Sequence, residues 1–86
     1  MGKRSRLEKY DPYPIDEIDA AINRWVKDQL RRRILRYILI DGYSYDATAD
    51  LIAKDTGIVY GAKKMSRTIT KAEDELFPHL KAEHRA

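Results

Sequence analysis

Eighty-six residues allow one small domain with a thin core, and the absence of cysteine excludes a disulfide framework or thiolate metal site and fits a reducing compartment. Seventeen Lys and Arg against 14 Asp and Glu leave a formal charge of +3, a weak pointer to an anionic partner when 36% of residues are charged. No apolar run approaches the roughly 20 residues of a bilayer span, the longest being Tyr37-Ile38-Leu39-Ile40, and the basic start lacks the apolar segment of a secretory signal; no membrane partner and cytoplasmic residence are therefore expected.

Residues 1–13 carry Lys3, Arg4, Arg6 and Lys9 with few apolar groups before Asp11-Pro12-Tyr13-Pro14. They are predicted to form a basic mobile arm ending in a rigid turn. From Ile15, the residues Ile15, Ile18, Ala21, Ile22, Trp25 and Val26 follow helical spacing and predict a first helix over about 15–27. Its early acids Asp16, Glu17 and Asp19 suit the positive end of the helix dipole better than acid–base or metal chemistry, and Trp25 is expected as a core anchor.

A second helix is predicted to start near Asp28 and to bury a broad surface of Leu30, Ile34, Leu35, Tyr37, Ile38, Leu39 and Ile40. Arg31, Arg32, Arg33 and Arg36 are expected along its exposed sides, their stems covering apolar neighbours. Asp41-Gly42 stops it, with glycine suited to a left-handed cap. Ser44 then reads as the N-cap of a third helix running toward Asp55, in which Ala47, Ala49 and Ala53 permit close approach of another helix.

Thr56-Gly57 breaks that pattern, and Ile58 to Gly61 connects to a last helix, predicted to end near Phe77-Pro78 because the residue before proline disfavours helical backbone. At about 100° per residue, Met65, Ile69, Ala72 and Leu76 form one narrow apolar stripe. Lys63, Lys64, Arg67, Thr70 and Lys71 crowd the other side, and no acid occurs between Gly57 and Glu73. One face calls for a core and the other for an anion, although solvated lysine faces without a partner are common. With no strand-period alternation, the chain is predicted to be all-α, a small four-helix domain containing a helix-turn-helix over 14–80, followed by a tail at 81–86.

The run Arg33-Ile34-Leu35-Arg36-Tyr37-Ile38-Leu39-Ile40-Asp41-Gly42-Tyr43-Ser44-Tyr45-Asp46-Ala47-Thr48-Ala49 resembles the region-4 helix-turn-helix of bacterial sigma factors and of phage-encoded sigma-like regulators. Asp41-Gly42-Tyr43-Ser44-Tyr45 and Ala49 stand at the family's motif places, and Met65, Ile69, Ala72 and Leu76 at the apolar positions of its recognition helix. The chain departs from that pattern by extra residues between Ala49 and Met65, which lengthen either the third helix or the turn. The resemblance implies a sequence-specific transcriptional regulator whose 61–76 helix enters the major groove of double-stranded DNA, with RNA polymerase as a further partner. It assigns Lys63, Lys64, Arg67, Thr70 and Lys71 to the DNA-facing side, Arg67 suited to guanine and the lysines to phosphates. Lys3, Arg4, Arg6, Ser66 and Thr68 are candidates for auxiliary phosphate contacts. A symmetric homodimer would place two such helices about 34 Å apart, but no sequence feature establishes one.

Catalysis has little support: His79 and His84 are the only histidines, without a base–nucleophile set or a glycine-rich phosphate loop, and His79 reads as helping to end the last helix. No enzyme, metal or cofactor is expected. The competing readings are a protein-interaction module that binds a polymerase, packaging or host protein, and a small terminase-like DNA-binding subunit.

Overall fold

The computed structural model describes residues 10–83, which form an all-α domain with no strand among them. In chain order the elements are α1 (Ile15–Trp25), α2 (Gln29–Leu35) continuing into a widened π turn (Arg36–Ile40), α3 (Tyr45–Thr56) and α4 (Ala62–Glu83). The last two helices, α3 and α4, are joined by a non-helical connection from Gly57 to Gly61.

Local chemistry sets most boundaries. Pro14 is extended, and its carbonyl accepts from Ile18 N–H at 3.1 Å to open α1. This helix stops at Trp25, short of the expected residue 27, because Val26 turns extended while its own side chain is fully buried. The Val26 carbonyl, no longer part of a helix, accepts from Arg32 Nε instead. Asp28 then caps α2 by accepting from Arg31 N–H at 3.0 Å.

The second helix does not keep regular winding to Ile40. Asp41 N–H reaches back to the Arg36 carbonyl at 3.0 Å, an i to i−5 bond, and Tyr43 N–H reaches the Tyr37 carbonyl at 2.9 Å beyond left-handed Gly42. The wide turn rotates the chain between two cores: Leu35 belongs to one, Ile34 and Ile38 to the other, and Leu39 packs against both. Ser44 caps α3 through Ala47 N–H at 3.1 Å, and Gly57 at φ 81° closes it onto the Ala53 carbonyl at 2.8 Å. A side chain at Gly57 would strain that left-handed cap.

The two cores share α4 as their common wall. Ile34, Ile38, Ile52, Met65 and Ile69 bring α2, α3 and the first half of α4 together. Ile18, Ala21, Ile22, Val26, Leu35, Ala72, Leu76, Leu80 and Tyr10 bring α1 and α2 against its second half. The predicted stripe of Met65, Ile69, Ala72 and Leu76 is buried throughout, each at 1% exposure or less.

Two expectations about the C-terminal part are corrected. The last helix does not end near Phe77-Pro78 but continues through Pro78 to Glu83, so residues 81–83 are helix and not tail; residues 84–86 lie outside the described region. Proline removes one N–H from the ladder, yet tertiary contacts on both sides of it hold the helical path. Phe77 meets Tyr10 and Tyr13 edge-on at 5.4 and 6.1 Å, Leu80 is buried, and Trp25 Nε1 donates to Glu83 at 3.0 Å. His79 accordingly does not terminate the helix; its ring stacks on Trp25 at 3.8 Å, nearly parallel. At the other end, the stretch expected as a mobile arm includes Tyr10, which is buried in the core, while residues 1–9 lie outside the described region.

Candidate nucleic-acid interface

The first half of α4 carries the candidate site, and its geometry follows from the buried stripe. With Met65, Ile69, Ala72 and Leu76 held against the two cores, helical rotation of about 100° per residue turns Arg67 to the opposite side, with Lys63 and Thr70 on one flank and Lys71 and Lys64 on the other. All five are exposed, as predicted for a face that leaves the protein. Ser66 and Thr68 sit half-buried at its margins. Lys3, Arg4 and Arg6 lie outside the described residues.

This face gathers four cations without compensating acid among the described residues. The arginines of α2 and its π turn are engaged within the fold: Arg31 with Glu75 at 2.5 Å, Arg33 with Asp55 at 3.5 Å, and Arg36 with Asp19 at 2.8 Å and with Asn23. Arg24, on α1, lies 3.6 Å from Glu83. By contrast, among the described residues no acid pairs with Lys63, Lys64, Arg67 or Lys71. The acidic block that follows is drawn inward at two of its three positions, since Glu73 is buried and Glu75 faces Arg31; Asp74 stays exposed and marks the end of the basic face.

The helix entrance adds contacts that the sequence reading missed. Tyr60, half-buried against the α3–α4 core, lies under Lys64, whose ammonium sits 5.2 Å from the ring centroid. The i, i+4 separation of the two residues is a usable sequence signal only once the helix is known to be entered near Gly61. Before it, Thr56 Oγ1 donates to the Ile52 carbonyl at 2.8 Å and accepts from Ile58 N–H at 3.1 Å, which secures the start of the connection. Between these anchors Ile58 and Val59 stand exposed.

On the far side of α3, Tyr37 donates to Asp55 at 2.8 Å and meets Tyr43 edge-on at 5.8 Å. The Asp55 carboxylate raises the Tyr37 phenol above its ordinary value of 10.0, first through this bond and also by charge. Arg33 and Asp55 are thereby tied into one network with Tyr37 and are not part of the α4 face. Among the described residues no helix is long and apolar enough to cross a membrane. No family model, curated protein or solved structure matches this chain.

Proposed function

We propose that this protein is a sequence-specific DNA-binding transcriptional regulator in which the first half of α4 enters the major groove of duplex DNA. The reading is carried by one observation: Lys63, Lys64, Arg67 and Lys71 occupy a single exposed face without acidic partners, while the opposite face of the same helix is buried. The helix backbone is already held by the buried face before any partner arrives, and each lysine that neutralises a phosphate releases counterions. The resemblance to sigma region 4 supports the same face and adds RNA polymerase as a proposed second partner and a phage or prophage as the proposed setting.

Roles within the face follow from chemistry. Arg67, opposite the buried stripe, has the reach and planar donor set to bond guanine at two atoms. Lys63, Lys64 and Lys71 serve as phosphate contacts that position the helix, and Thr70 contributes a hydroxyl beside them. Binding of a duplex library, followed through several salt concentrations, tests the proposal. Alanine at Lys63 or Lys71 weakens binding to all sequences and flattens the salt slope by about 1 each, whereas alanine at Arg67 costs about 1–3 kcal/mol chiefly at one base pair. Absence of binding near 50 mM salt, where phosphate contacts are strongest, refutes it.

A further inference from the structure

The connection before α4 presents two adjacent apolar side chains to solvent: Ile58 at 40% exposure and Val59 at 77%. Apolar residues scattered singly on a surface need no explanation, but these two are consecutive, β-branched and fixed in place. The left-handed Gly57 cap and the Thr56 hydroxyl hold the chain on one side, and half-buried Tyr60 and the Gly61 carbonyl, which accepts from Met65 N–H at 2.9 Å, hold it on the other. Tyr60 and Lys64 are in contact, so the apolar tip sits at the mouth of the basic face. A tip of two side chains is too small to anchor a membrane surface, where stable attachment takes far more buried apolar area. Beside uncompensated cations, the apolar group it suits is one embedded in a polyanion.

We propose that Val59, supported by Ile58, makes an apolar contact with the 5-methyl group of thymine in the major groove. This inference rests on the DNA-binding reading of α4 and assigns part of its base preference to the segment ahead of the helix. The N-terminal end of a groove-bound helix is the part nearest the base edges. Thymine's methyl is the one apolar feature those edges display, and aliphatic side chains are its natural partners. Lysines on phosphates cannot supply this discrimination, because phosphates carry no sequence information.

The test compares a duplex recovered from the binding library, which offers both guanine and thymine, with the same duplex carrying uracil in place of thymine, which deletes the methyl and leaves the charge unchanged. The wild-type protein is expected to bind the thymine duplex about three- to fivefold more tightly, the value of one buried methyl. Val59→Ser, at an exposed position that leaves the fold intact, is expected to bring that ratio close to 1 without altering the salt slope. An equal ratio in wild type and Val59→Ser, or no preference in the wild type, overturns the inference while salt-dependent binding of both duplexes upholds the DNA reading. Failure to bind either duplex near 50 mM salt overturns both.

Discussion

Leu80→Ala is the substitution that most sharply tests the continuation of α4 past Pro78. Leu80 is 2% exposed and packs in the core formed with α1 and α2. Truncation removes three carbons, worth about 2.4 kcal/mol at ~0.8 kcal/mol per buried methylene. The side chain also lines a cleft of about 330 Å³ with Ala20, Ala21 and the charged residues Glu17, Arg24 and Glu83, so the space it vacates opens toward water instead of closing into a dry cavity. The loss should therefore fall at the low end of the range for buried leucines, about 2–3 kcal/mol. In urea this moves the unfolding midpoint down by about 2 M at ~1 kcal/mol per M. Lys81→Ala, one position on and exposed, serves as the control and should cost below about 0.5 kcal/mol. If Leu80→Ala costs no more than that control, the helix does not carry Leu80 into the core and the account of the C-terminal half is wrong.

Pro78→Ala should raise stability by about 2 kcal/mol, the helix-interior penalty of ~3 kcal/mol less up to ~1 kcal/mol of unfolded-chain stiffening lost; a lower thermal midpoint would contradict this. Ser44→Ala removes the acceptor of Ala47 N–H and should cost about 1 kcal/mol, checked by urea unfolding against a Ser44→Thr variant that keeps the hydroxyl and should retain most of the cap. The Tyr37–Asp55 bond raises the phenol's folded value above 10.0, so its stabilisation is fully present below pH 10.0 and is lost as pH rises through the raised value. The stability gap between wild type and Tyr37→Phe should thus narrow at strongly alkaline pH; a gap that widens there would reverse the assigned sign.

The parts of this fold that could be read from the chain are those decided within a turn or two. Helical spacing located the buried stripe of α4, and local chemistry located the start of α2 near Asp28, the Ser44 cap, the left-handed Gly42 and the break at Gly57. The parts that misled depend on distant residues. Proline's disfavour is a local cost, and Leu80, Phe77 and the Trp25–His79 stack that offset it are brought together only by the tertiary fold. The π turn has the same origin, since a regular helix through Arg36–Ile40 was the reading that periodicity supports and the division of its side chains between two cores is non-local. For the candidate site, spacing alone placed Lys63, Arg67 and Lys71 on one exposed face. That the arginines of α2 are taken up by Glu75, Asp55 and Asp19, leaving the α4 cations without acidic partners, required the packed helices.

The most direct test of the central proposal is the salt dependence of duplex DNA binding by wild type and by the Lys63→Ala, Lys71→Ala double variant. Three phosphate-contacting lysines at ~0.9 per contact give a slope of about −2.7 in log affinity against log salt, or roughly a 40-fold loss between 50 and 200 mM, and the double variant should fall to about −0.9. A wild-type slope near zero, or an identical slope in the double variant, would contradict the assignment of the α4 face to DNA.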